Sequence, residues 1–301
     1  GEDVMFNTSC DPPSAPIIGT ITNPTCNTAT GSVVLNGLPS TGNWTVTTSP
    51  GETITSGTGA STTISELAAG ETYTFTVTNA AGCVSSASGN VVINEQPAPP
   101  SPPVVGTITQ PTCSMATGSV VLSSLPSTGT WTLTRSPGGT TTTGSGTSTT
   151  VSGLASGTYT FTVTNASGCV SASSGNIVIN AKPSAPSVSG GSYSVSISDV
   201  VISGTVNANN APADVTFEYG TTTDYNLTIN ASPHTVSGSS TTSVNAMLTG
   251  LLPGYSYYFR LSATNSCGTA RSTGNYFTTI LNDRDGNIYN SVTIGSQVWM
   301  K

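Results

Sequence analysis

One stretch of this chain occurs twice. Gly19-Thr-Ile-Thr-Asn-Pro-Thr-Cys26 returns as Gly106-Thr-Ile-Thr-Gln-Pro-Thr-Cys113, and Leu38-Pro-Ser-Thr-Gly-Asn-Trp44 returns as Leu125-Pro-Ser-Thr-Gly-Thr-Trp131. Cys26 and Cys113 are 87 residues apart, whereas Cys83 and Cys169, past a one-residue loop deletion, are 86 apart. Solenoid units are about half that long, so the period is that of a small domain with its own core. The chain therefore reads as beads rather than as one continuous stack.

Within each bead hydrophobicity alternates with period two, as in Tyr73-Thr-Phe-Thr-Val-Thr78, which is the pattern of a half-buried strand. Segments of this kind fall at 17–22, 31–37, 43–48, 52–56, 60–65, 71–79 and 88–94, separated by Gly-, Pro-, Ser- and Asn-rich turns. Val, Ile and Thr dominate them because β-branched side chains suit a pleated surface. Seven short strands in fewer than ninety residues predict an all-β fold of tandem immunoglobulin-like or fibronectin type III-like sandwiches. Proline-rich joints at 11–16, 96–103 and 182–186 favour extended geometry, so the array is expected to be elongated. A floppy linker is the alternative for each joint.

The segment Leu251-Leu-Pro-Gly-Tyr-Ser-Tyr257-Tyr-Phe-Arg-Leu261-Ser-Ala263 resembles the penultimate strand of a fibronectin type III domain, with a Pro-Gly turn, a corner tyrosine and an inward set Tyr257, Phe259, Leu261 and Ala263. Residues 16–182, through their GTIT-PTC, TGSVVL, GTWT and TFTVTNASGC segments, resemble the Thr-rich immunoglobulin-like repeats of large surface and secreted proteins of Bacteroidota. Asp283 to Lys301 looks like the opening of a Fibrobacter succinogenes major paralogous domain, and Val4 to Thr8 like the last strand of a fibronectin-like domain. The expected organisation is a final upstream strand at 1–10, repeat 1 at 16–96, repeat 2 at 104–182, a fibronectin type III-like domain at 187–280 and a truncated start at 283–301. The resemblance implies an extracellular place on a bacterial cell surface and export by type IX secretion, the route also used in gliding motility. Cell-surface polysaccharide, or outer-membrane secretion and anchoring machinery, would then be the partner.

Charge is scarce: 6 basic and 13 acidic residues in 301, net −7, with no Lys or Arg before Arg135. Nucleic acid and anionic membranes are poor partners for such a chain, and no run of eighteen apolar residues offers a membrane span. No acid lies between Glu95 and Asp199, so paired carboxylates cannot recur with the repeat. His234, the one histidine, stands in a polar Ser-Pro-His-Thr loop without a Ser or Asp partner pattern. These features predict no catalysis and no cofactor. Asp283-Arg-Asp285-Gly-Asn287 is a weak calcium candidate, lacking the distal glutamate of a full loop and equally suited to a hairpin turn. Bead one has no lysine for an intramolecular isopeptide bond. Asn43-Trp-Thr45 and Asn165-Ala-Ser167 match a eukaryotic glycosylation pattern of little weight in a bacterial protein.

Trp44 and Trp131 begin equivalent strands, and their shared face with Val46 and Leu133 predicts burial rather than a sugar-stacking surface. Each copy also holds one pair of cysteines, without CxxC spacing or a neighbouring histidine. The expectation is one disulfide inside each repeat, Cys26 with Cys83 and Cys113 with Cys169, against an alternative of buried thiols. Cys10 and Cys267 are left without mates. Disulfides imply an oxidising compartment. The functional expectation is a structural spacer in a large secreted adhesin or filament. The alternatives are a carbohydrate-binding accessory region of a secreted enzyme, or a passenger held by an export complex.

Overall fold

The computed structural model describes residues 10–196 and 199–281, and beyond them only the backbone of strands Leu281–Asn282, Ile288–Tyr289, Ser291–Ile294 and Gln297–Met300. Among the described residues the fold is all-β, with no helix. The candidate calcium residues Asp283, Asp285 and Asn287 lie outside the described residues, as do residues 1–9 of the upstream strand expected at 1–10.

Repeat 1 contains β1 (Ile17–Thr22), β2 (Thr30–Asn36), β3 (Asn43–Ser49), β4 (Ile54–Thr58), β5 (Ser61–Ala68), β6 (Thr72–Thr78) and β7 (Val91–Val92). They form two antiparallel sheets, β1-β2-β5 and β4-β3-β6-β7. The period-two reading sets what each sheet buries: Val33 and Leu35 from β2, Trp44 and Val46 from β3, and Tyr73, Phe75 and Val77 from β6 form one core with Ile64, Leu67, Val91 and Ile93. Burying each such side chain contributes about 1.5–3 kcal/mol. The opposite face of the second sheet is a lattice of hydroxyls, because Thr45 pairs with Thr78, Thr47 with Thr76 and Ser49 with Thr74.

The seventh strand is shorter than the alternation predicts, and two serines explain the difference. Ser85 and Ser88 donate their N–H groups to Val77 O and Phe75 O, while their own Oγ atoms accept the Val77 and Phe75 N–H groups at 2.9 and 3.0 Å. The serine hydroxyls thus replace carbonyls in the ladder and satisfy the edge of β6 beyond its two-residue pairing with β7. Ser171 and Ser174 do the same for Val163 and Phe161, and Ser272 for Leu261.

Repeat 2 contains β8 (Val104–Thr109), β9 (Gly118–Ser123), β10 (Trp131–Ser136), β11 (Thr141–Gly144), β12 (Ser148–Leu154), β13 (Gly157–Thr164) and β14 (Ile177–Ile179), in sheets β12-β9-β8 and β11-β10-β13-β14. Thr132 again faces Thr164, and Thr134 faces Thr162. The division of the chain into two compact units cuts through this repeat: Leu122–Thr149 and Tyr159–Asn176 group with repeat 1, whereas Thr107–Val121 and Thr150–Thr158 group with the 187–280 segment.

That third segment contains β15 (Ser187–Val195), β16 (Asp199–Asn207), β17 (Ala213–Gly220), β18 (Leu227–Val236), β19 (Thr241–Thr249), β20 (Ser256–Asn265), β21 (Gly268–Arg271) and β22 (Asn275–Thr278). Strands follow the order β15-β16-β19-β18-β17-β20-β21, with β22 also on β20. Only Ser232 and Asn245 pair between β18 and β19. The sheet turns over at that narrow link, so Ile202 and Val244 share one core with Phe217 and Phe259. Tyr257, Phe259, Leu261 and Ala263 are buried, as the alternation requires. Tyr257 Oη accepts the Leu252 N–H at 3.1 Å, so the corner tyrosine expected there is formed, and Tyr73 Oη makes the same contact in repeat 1, accepting the Ala68 N–H at 2.9 Å.

Candidate functional site: stapled joints

Cysteine placement starts from the turn that follows the central Tyr-Phe-Val strand. After β6 the chain runs Asn79-Ala-Ala-Gly-Cys83. Asn79 Oδ1 accepts the N–H groups of Ala81 and Cys83 at 3.1 and 3.0 Å, and Gly82 takes φ 83°, a conformation a Cβ would disfavour. Asn79 Nδ2 is left to point outward and donates to Asp11 O, in the segment entering the repeat, at 3.1 Å. Asn165 repeats both roles, holding the N–H groups of Ser167 and Cys169 and donating to Ala98 O at 3.1 Å. Asn265 holds the Cys267 N–H at 2.8 Å and donates to Ser184 O at 2.8 Å and Ala208 O at 3.0 Å. In all three segments one asparagine shapes the cysteine turn and grips the incoming linker.

The first cysteine of each repeat is held at the other end. Asn23 Oδ1 accepts the Asn94 N–H at 2.9 Å, and Gln96 Nε2, in the outgoing linker, donates to Thr25 O at 3.1 Å and Cys26 O at 3.4 Å. Gln110 brackets the exit of repeat 2 in the same way, accepting the Asn180 N–H and donating to Val178 O. Each repeat therefore carries one cysteine at its entrance and one at its exit.

This placement overturns the expected pairing. The three disulfides join Cys10 to Cys83, Cys26 to Cys169 and Cys113 to Cys267, with Cα separations of 5.5, 5.3 and 5.3 Å. Cys26–Cys83 and Cys113–Cys169 do not form, and Cys10 and Cys267 are partners rather than leftovers. The physical reason is length: Cys26 and Cys83 sit at opposite ends of β6, whose seven residues span about 23 Å, and a disulfide tolerates a Cα separation of at most about 7 Å. The exit cysteine of one segment instead meets the entrance cysteine of the next. The closed loops span 143 and 154 residues in the two bonds between segments, and each constrains the unfolded chain by about 5 kcal/mol in the chain-entropy treatment.

No protein-family model matches the chain, and no curated protein matches it. Among solved structures, the FN1–FN3 domains of chicken CNTN1 are similar over 89% of this chain and 98% of that one, at 17% identity and a TM-score of 0.29.

The other sequence candidates occupy unremarkable places. Trp44 and Trp131 are each 2% exposed, and their Nε1–H groups donate to Gly59 O and Gly146 O at 2.8 Å, so the core reading holds. Trp44 lies against Gly57, where an added Cβ would approach its ring to 2.5 Å, and Trp131 lies equally close to Gly144. His234, on β18, has Nδ1 3.2 Å from Val215 O. Among the described residues no group of three His, Cys, Asp or Glu can hold a metal, and no helix is long and apolar enough to cross a membrane. Asn165 already uses both ends of its amide in the joint.

Charge gathers instead on the third segment. Arg260 Nε donates to Glu218 Oε2 at 2.6 Å and Arg271 Nε to Glu218 Oε1 at 3.0 Å. Partial burial by itself raises the Glu218 pKa, but hydrogen bonds from the two arginines, with their charges, outweigh it and hold the carboxyl below the usual range. Nothing in the sequence pattern marked this trio, since the residues lie on three strands. The asparagine clamps did have a signal, the Asn-Ala-Ala-Gly-Cys and Asn-Ala-Ser-Gly-Cys copies, whose asparagine is easily passed over as an ordinary turn residue.

Proposed function

We propose that this chain is a stapled spacer within a large secreted protein of a bacterial surface, an adhesin or filament of the Bacteroidota type, and that its role is mechanical rather than catalytic. One observation carries the reading: the bonds Cys26–Cys169 and Cys113–Cys267 run from one segment to the next rather than closing within one. A disulfide that served only to stabilise a small sandwich would lie within it. One that bridges a proline-rich joint restrains swinging at that joint, as a spacer requires. The asparagine clamps on Asp11, Ala98 and Ser184 act on the same three joints. Three disulfides suit a secreted or extracellular protein. Scarcity of Lys and Arg leaves few sites for trypsin-like proteases, and a hydroxyl surface is little affected by salt. Type IX export and attachment to outer-membrane machinery belong to the same proposal and rest on sequence resemblance.

Small-angle scattering of the full chain before and after reduction under native conditions tests the mechanical role. Reduction is expected to leave the β circular-dichroism spectrum intact while broadening the distribution of distances. Identical scattering in both states would remove the staples from any stiffening role. Gold-labelled antibody against residues 16–182 on source cells tests location, with label outside the outer membrane expected and label confined to the medium contradicting a surface-bound spacer.

A further inference from the structure

The outward face of the sheet built on β17 and β20 differs from its counterparts in the repeats. Tyr258 on β20 pairs directly with Tyr276 on β22, and their rings lie 6.0 Å apart at 44°. Tyr276 is 58% exposed. Two residues along β20, Arg260 points to the same side, stacked 4.3 Å from the centre of the Tyr225 ring and bonded to Glu218. Arg271 completes the row, with its side chain 49% exposed. In repeat 1 the outward residues that pair across the corresponding central strands are all Thr or Ser.

We infer that this face, centred on Tyr258 and Tyr276 and edged by Arg271 and Glu218, binds a neutral polysaccharide built of pyranose sugars. Exposed aromatic rings offer flat apolar area against the C–H face of a pyranose, with little side-chain entropy to lose. Polar groups beside such rings fix orientation, and both are present: a carboxylate held ionised by two arginines, and the remaining guanidinium N–H donors of Arg271, which suit sugar hydroxyls. Charge adds little to that preference: Glu218 accepts from both arginines and offsets one of them, so the face carries a single positive charge in excess, which solvent and salt screen, and the aromatic rings are left as its main contact. The inference does not depend on the joints, and different residues carry it.

Native affinity electrophoresis tests it directly, because the net negative charge carries the oxidised 301-residue chain into the gel. The probes are galactomannan, hydroxyethylcellulose and laminarin, with polygalacturonate as the acidic comparison. Retardation is expected in at least one neutral gel, with Tyr276→Ala weakening the fitted dissociation constant by about tenfold and Tyr276→Phe keeping most of the affinity. Circular dichroism confirms that the variants fold, as expected for so exposed a side chain. Equal mobility of the wild type in all neutral and blank gels overturns the inference. So does retardation that Tyr276→Ala leaves unchanged, or retardation confined to polygalacturonate.

Discussion

The two repeats and the 187–280 segment solve the same packing problem and then diverge at the surface. All bury an alternating Tyr-Phe strand, and all close the turn after that strand with an asparagine that grips the incoming linker. The repeats turn threonines outward and carry cysteines at both entrance and exit. The third segment turns out tyrosines, arginines and a glutamate, and it carries an entrance cysteine, Cys267, with none at its exit. The contrast separates two jobs that one sandwich can do: the inward alternation and the clamp make a unit that joins to the one before it, and the outward positions are free to be inert or to recognise something.

The largest perturbation should come from the shared part. Phe75→Ala in repeat 1 and Phe259→Ala in the third segment each empty a fully buried site, and each should cost about 3–5 kcal/mol. Calorimetry should show each variant lowering a different transition; one common transition falling equally in both would mean the segments do not melt separately. Gly57→Ala should cost about 1–3 kcal/mol, because a methyl there must displace the Trp44 ring. Among the described residues no buried aromatic ring of the third segment's core lies against a glycine in this way, so the loss should be confined to the repeat. Asn165→Ala should cost about 1 kcal/mol and make the 97–103 linker more open to proteolysis, with the cores unchanged by circular dichroism. An unchanged cleavage rate would show that the clamp on Ala98 does not hold the joint.

The smallest effect separates the surfaces by pH. Glu218 has a folded pKa below its ordinary value of about 4.3, so its ion pairs stabilise the fold above that value, and the contribution is lost as pH falls through the lower folded value. Acid titration below about pH 4.3 should therefore lower the third-segment transition more in the wild type than in Glu218→Gln. Parallel curves for the two proteins would show that the pairs contribute nothing net, as many exposed pairs do.

Much of this was legible in the sequence. The 87-residue repeat and the Tyr-Thr-Phe-Thr-Val alternation specify strands and inward faces, because a period of two leaves no choice of which residues are buried. The same alternation places Trp44 and Trp131 in the core. The disulfide pairing was not legible, because two cysteines per copy suggest closure within the copy, and only the length of β6 between them excludes it. The serine ladder at Ser85 and Ser88 was also hidden, since a side chain that imitates a backbone carbonyl leaves the hydrophobic pattern unaltered. The tyrosine and arginine face requires knowing that β17, β20 and β22 are neighbours, which alternation within single strands does not say.

The pairing of cysteines between segments is the central claim, and the sparse basic residues make it measurable with one digest. Trypsin cleavage of the denatured, unreduced chain after Arg135, Arg260 and Arg271 isolates Leu261 to Arg271, the peptide that contains Cys267. The account predicts that mass spectrometry finds this peptide covalently attached to the fragment 1–135, itself joined to 136–260 through Cys26–Cys169, and released only on reduction. Its recovery without reduction, carrying a free Cys267 thiol, would contradict the stapled joint and restore closure within each repeat.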